Sequence, residues 1–307
     1  MGALLILPVC LLAGILLRRS GRMPEGGHVP LTVFVVNVAL PALTLVQLHG
    51  APLGAEILWP VAMPWLIFGL AFVPFRLAGR ALGLPRETTG ALILCGGLAN
   101  TAFVGLPMVL AFHGPAFVPV AVMADQLGTF LVLSTLGTVV AAAHAGEAAG
   151  GLARSVTAVA RRLLAFPPFL ATAAAFALMP VAFPSWLSDG LHALGAAVVP
   201  AALCAVGLQL RAAECRAVAM PLVLGLAFKL LLAPAVLLAV VSLAGAGGEA
   251  VRVGLLQAAM GPQIGAAVIA AQYGLDRRLV SAMVAVGIPL SFVTAPAWHW
   301  VLAHAVP

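Results

Sequence analysis

Apolar stretches of about twenty residues, the length a helix needs to cross a bilayer, recur along this chain, and nearly every basic residue falls between two of them. They read as ten spans, at roughly 3–17, 30–48, 56–75, 88–112, 115–142, 163–183, 190–210, 217–243, 250–273 and 277–303. The odd-numbered connections carry Arg18, Arg19, Arg22, Arg76, Arg80, Arg86, Arg154, Arg161, Arg162, Arg211, Arg216, Arg277 and Arg278. These are 13 of the 15 Lys and Arg residues; an even connection holds only Arg252, and Lys229 lies inside a span. Cytoplasmic loops retain positive charge, so the odd loops are expected in the cytoplasm and both termini outside. One span more or fewer would scramble this alternation, so the charges support the count as well as the orientation.

Only 8% of the 307 residues are charged and 63% are hydrophobic. A soluble domain needs nearer a quarter charged residues to face water, so most of this surface must face something else, a lipid bilayer. Strand-like alternation of period two is absent, which points to an all-α membrane protein rather than a barrel. The net charge of +6 belongs to loops that orient the chain, and no soluble basic face exists for nucleic acid. Cys10, Cys95, Cys204 and Cys215 make neither a metal-ligand spacing nor a secreted disulfide framework, and no histidine pairs with a second ligand at helical spacing. Met1 to Leu17 is uncharged and arginines follow it, the reverse of a signal peptide; it reads as a first transmembrane helix. Trp298 and Trp300 are expected in an interfacial aromatic belt. No phosphate-cradling G-x-x-x-x-G-K-[ST] loop occurs, so neither a nucleotide drive nor any cofactor is expected.

The fifth connection, 143–162, is the one longer hydrophilic loop and joins residues 1–142 to 163–307. Five spans per half is an odd number, so the second half enters the membrane from the opposite side, the inverted-repeat arrangement of many secondary transporters. Leu40-Pro41-Ala42-Leu43 in span 2 echoes Val199-Pro200-Ala201-Ala202 in span 7. Span 4 ends Phe112-His113-Gly114, and span 9 ends Gln272-Tyr273-Gly274.

Spans 4 and 9 are the informative ones. Asn100, Thr101, Gly105 and Pro107 lie mid-span in the first, and Gly261, Pro262 and Gln263 in the second. Proline removes a backbone donor and glycine permits unwinding, so both helices are expected to break. Broken helices at matched positions mark the midplane substrate site of a transporter; freed amides favour an anion and freed carbonyls a cation. Asp125, followed by Gln126, and Lys229 are the ionisable residues well inside spans. A charge at that depth marks a cavity, so these three are candidates for coupling or counter-ion roles, and whether Asp125 and Lys229 pair is left open. Asn37 and Gln257 are secondary candidates, each close to a broken or proline-containing segment.

Asn37-Val38-Ala39-Leu40-Pro41-Ala42-Leu43 in span 2, Asn100-Thr101-Ala102-Phe103-Val104-Gly105-Leu106-Pro107 in span 4, Lys229 to Pro234 in span 8 and the Tyr273-Gly274-Leu275-Asp276 exit from span 9 resemble the auxin efflux carrier family. Its bacterial members are often labelled malate permeases. The resemblance runs the length of the chain and implies the fold of the bile acid and auxin carriers, with scaffold spans 1, 2, 6 and 7 and moving spans 3–5 and 8–10. It also implies that spans 4 and 9 cross at their breaks and that an organic anion binds beside the crossing, with Asn100 and Pro107 as site residues. The second break, Met260-Gly261-Pro262-Gln263, lacks the asparagine of the plant carriers. The expected function is a secondary carrier of a small organic anion, a carboxylate, by alternating access. Coupling to a proton through Asp125, coupling to sodium, no coupling, and a homodimeric assembly stay open. A sodium-coupled symporter of the bile acid type is the alternative within transport, and a channel or structural membrane protein stands outside it. An intramembrane enzyme is remote: there is no G-x-S, and Asp125 is the one carboxylate deep in a span.

Overall fold

The computed structural model describes residues 2–24, 26–51, 54–145, 163–209 and 215–306, and among these it is helical with no strand. The helices are α1 (Gly2–Arg19), α2 (His28–Leu48), α3 (Ala55–Ala81), α4 (Arg86–Gly97), α5 (Thr101–Phe112) and α6 (Pro115–His144). They continue with α7 (Pro167–Ala177), α8 (Ser185–Gln209), α9 (Ala219–Leu243), α10 (Glu249–Ala258), α11 (Ile264–Gln272) and α12 (Arg277–Ala305). Six of them, α2, α3, α6, α8, α9 and α12, are long and apolar enough to cross a membrane, and α5 and α7 are shorter apolar helices. Arg154, Arg161, Arg162 and Arg211, with most of the 143–162 connection, lie outside the described residues.

Spans 4 and 9 are each divided in two. The first breaks between Gly97 and Thr101 and the second between Ala258 and Ile264. At 1.5 Å rise per residue, a nine- to twelve-residue piece is about the length needed to reach halfway through a bilayer. The second pieces, α5 and α11, end alike, on Gly114 (φ 82°) and Gly274 (φ 69°). A left-handed residue closes a helix end at no steric cost only when it is glycine. Hydropathy placed span 6 at 163–183, but α7 stops at Ala177; Pro180 and Pro184 prevent continuation. The next helix starts at Ser185, earlier than hydropathy suggests, because its first turns carry the polar Ser188 and Asp189.

Helix α1 lies along α8, and α7 and α8 both pack on α2. A second group forms around α4 and α10, which are flanked by α3, α9 and α12, with α6 against α3 and α11 against α4 and α12. The first pieces are the centre of the molecule: α4 is buried on all sides from Thr88 to Gly97, and α10 from Ala250 to Ala258 except at Arg252. Glycine allows this depth. A Cβ on Gly96 would stand 2.5 Å from the Phe75 ring of α3, and one on Gly97 2.9 Å from Phe68.

Three helices widen by one residue per turn, at Val35–Ala39, Thr101–Gly105 and Phe228–Leu232. Each widening ends two residues before a proline, Pro41, Pro107 or Pro234. Proline has no N–H for the carbonyl four residues back and its ring clashes there, so the chain relaxes into a wider turn. The carbonyl Pro234 leaves free is that of Leu230, and it accepts from Trp298 Nε1 at 2.8 Å. Trp298 is therefore a half-buried interhelical anchor, whereas Trp300 is exposed. Two further wide turns, Ala124–Phe130 and Leu133–Gly137, lie in α6 without a proline after them.

Candidate functional site

The two breaks meet. Asn100 N–H donates to the Gly261 carbonyl at 2.8 Å, and Gln263 N–H donates to the Leu98 carbonyl at 3.1 Å. Ala99 therefore faces Pro262 in a short antiparallel bridge. Unwound backbone inside a membrane protein must satisfy its polar groups internally, and here each break supplies a donor to the other. The approach is close: a Cβ on Gly261 would lie 2.7 Å from the Gly287 carbonyl oxygen of α12.

Polar side chains gather on this bridge. Asn100, 1% exposed, caps α5 by accepting the Phe103 N–H on Oδ1 at 3.1 Å, and its Nδ2 has no protein partner. Thr101 Oγ1 donates to Asp125 Oδ1 at 2.5 Å, and Gln126 Nε2 donates to Asp125 Oδ2 at 2.7 Å. Gln257 Nε2 donates to the Ala121 carbonyl at 3.3 Å. The amide oxygens of Gln126, Gln257 and Gln263 are buried and without a protein partner. Lys229, fully buried, donates from Nζ to the Ala258 carbonyl at 3.0 Å. Asp125 and Lys229 do not pair: their hydrogen bonds go to different groups, and no ion pair within 4.0 Å joins them.

One cavity borders the bridge and a second lies apart from it. One of about 350 Å³ is lined by Asn100, Asp125 and Ser134, by Gln263 and Gly265, and by Phe130 and Phe166 stacked at 3.9 Å between ring centroids. Its far wall is α2 at Thr32, Val36 and Leu40. Helix α11 starts here from Gln263, and no side chain caps its first N–H groups. The other, about 530 Å³, lies farther along α2 at Leu43, Val46 and Gln47, and is closed by Pro107 of α5 and Cys10 of α1. Both volumes suit small-molecule ligands.

Of the residues singled out from sequence, Asn100, Thr101, Gly261, Pro262, Gln263, Asp125, Gln126 and Gln257 converge on the bridge, and Lys229 reaches it from behind through Ala258. Gly105 faces Gln257, 3.4 Å from a Cβ built on it, and Pro107 lines the second cavity instead. Asn37 does not join them: it is exposed, and its Nδ2 donates back to the Val33 carbonyl at 2.8 Å. Sequence reasoning missed Gly287, whose absent side chain admits Pro262, 2.5 Å from a Cβ built there. A glycine two residues before Pro289 in a long apolar helix is the signal that was available.

Comparison with known proteins places the chain among membrane transporters. The chain is similar to an uncharacterized transporter of Methanothermobacter thermautotrophicus, 28% identical over 302 residues covering 96% of this chain and 95% of that one. It is also similar to the uncharacterized transporter MJ1031 of Methanocaldococcus jannaschii, 24% identical over 313 residues covering 99% of each. Residues 1–299 match the family described as Membrane transport protein. This is an integral membrane protein, and it belongs to that family, the auxin efflux carrier-like transporters its motifs resemble.

Proposed function

We propose that the chain is a secondary carrier that moves a small organic anion, a carboxylate, across the cell inner membrane by alternating access. In this reading ten spans form two inverted halves, 1–142 and 163–307, with the arginine-rich loops cytoplasmic and both termini outside. Helices α1, α2, α7 and α8 are the scaffold, and the remainder carries the site. The observation that supports it most is the cavity of about 350 Å³ at the bridge. It offers an anion the uncapped start of α11 and the free Asn100 Nδ2, since a helix amino end and a buried donor both favour negative charge. Asp125 lines the same cavity. Two carboxylates in one buried space repel each other unless one is protonated, which favours a proton as the coupling ion through Asp125.

The test is a thermal-shift screen of the purified protein against mono- and dicarboxylates, followed by flux of the stabilising compound into proteoliposomes. A saturable stabilisation, lost in Asn100→Asp, and a saturable flux are expected. Unsaturable flux would instead indicate a channel, and stabilisation without flux a binding protein.

A further inference from the structure

Lys229 sits where the peptide backbone itself asks for a cation. Ala258 ends α10, and the residue four positions on is Pro262. Proline has no N–H, so the break leaves the Ala258 carbonyl without its helical donor. The carboxyl end of a half-helix also carries the negative pole of the helix dipole, and in discontinuous transporter helices such ends hold coupling cations. Here the Lys229 ammonium fills that position at 3.0 Å. The wide turn Phe228–Leu232 keeps Lys229 wholly inside, while Leu231 and Leu232 of the same turn are 55% and 50% exposed. No carboxylate within 4.0 Å accompanies it among the described residues. A buried ammonium with a single carbonyl partner is costly to keep, and a neutral side chain would fill the space more cheaply.

We propose that Lys229 is a tethered cation at the carboxyl end of α10, standing in the place of a coupling alkali-metal ion, so that the crossing is completed without sodium. This deepens the carrier reading above. Its test reads stability in salts alone, so it can fail while the flux experiment succeeds, and the reverse.

The full-length protein in detergent is unfolded thermally in sodium, potassium or choline chloride at equal ionic strength. Wild type is expected to melt at the same temperature in all three. Lys229→Ala is expected to melt lower in choline and to regain roughly 2–4 °C, saturably, with sodium or with ethylammonium, which supplies the missing ammonium. Lys229→Met, of similar length and uncharged, fills the position and is expected to gain nothing from either cation. Saturable stabilisation of wild type by sodium overturns the proposal, as does a Lys229→Ala protein whose melting temperature ignores every cation. Should Lys229→Ala fail to fold, Lys229→Ser, also too short to reach the Ala258 carbonyl, decides in its place, with the same saturable gain in sodium or ethylammonium expected and its absence counting against the idea.

Discussion

Asn100 does two jobs with the two ends of one amide, and substitutions separate them. Its Oδ1 caps α5 and its Nδ2 is free in the cavity. Asn100→Asp keeps the capping acceptor but replaces the donor with a second carboxyl in the cavity that Asp125 lines, so anion affinity should fall by at least about 10- to 100-fold, the worth of one hydrogen bond to a charged group. Asn100→Ala removes the cap as well and should lose about 1 kcal/mol of stability in addition. Ligand titration and thermal unfolding of both variants check this; equal affinity in Asn100→Asp and wild type would remove Nδ2 from the site. Asp125→Asn is the complementary case. The new amide still accepts from Thr101, and Gln126 can turn its unpartnered oxygen toward the new donor. The variant should therefore fold and still exchange substrate, while uptake driven by a proton gradient disappears; gradient-driven uptake at the wild-type rate would exclude Asp125 as the proton carrier. These residues were legible in the sequence because polar groups in apolar spans are rare. Asn37 was legible for the same reason but stands apart from the bridge, its amide donating to Val33 on its own helix.

The breaks were legible at the level of the element because glycine and proline act locally, on the turn in which they stand. The proline-linked wide turns follow from the same chemistry, although hydropathy alone does not report them. What the sequence could not reveal is how closely the broken pieces approach their neighbours, which depends on residues far away in the chain. Gly261 against Gly287 is the sharpest instance. Gly261→Ala drives a Cβ to 2.7 Å from a backbone oxygen that cannot rotate away, and should cost about 1–3 kcal/mol. Gly69 in α3 is the control. A Cβ there meets nothing within 4 Å, so Gly69→Ala should be neutral or stabilise by up to about 1 kcal/mol through helix propensity. Thermal unfolding of the pair measures the difference; a Gly261→Ala protein as stable as Gly69→Ala would mean that the crossing has room to spare.

At the scale of the whole molecule, α2 borders both cavities, with Thr32, Val36 and Leu40 at one and Leu43, Val46 and Gln47 at the other. Alternating access requires such a continuous wall, along which a site can face either side in turn. The proposed topology, with the arginine-rich loops cytoplasmic, gives the two cavities opposite sides. Arg18, Arg19 and Arg22 precede α2, so in that topology its Thr32 end, with the 350 Å³ cavity, would lie toward the cytoplasm, and the 530 Å³ cavity would open outward. Cys10 lines the outer cavity and is partly exposed, while Cys95 in α4 is fully buried. Each can be tested as the sole thiol, with the other cysteines replaced by alanine. A membrane-impermeant cationic methanethiosulfonate applied from outside intact cells should modify Cys10 and block flux, and should leave Cys95 untouched. Applied to inside-out vesicles, it should reach Cys10 far more slowly. A transported carboxylate should change the outer labelling rate as it shifts the population between the two orientations. Faster labelling of Cys10 from the cytoplasmic face would invert the proposed topology, since Cys10 reports the face to which the 530 Å³ cavity opens.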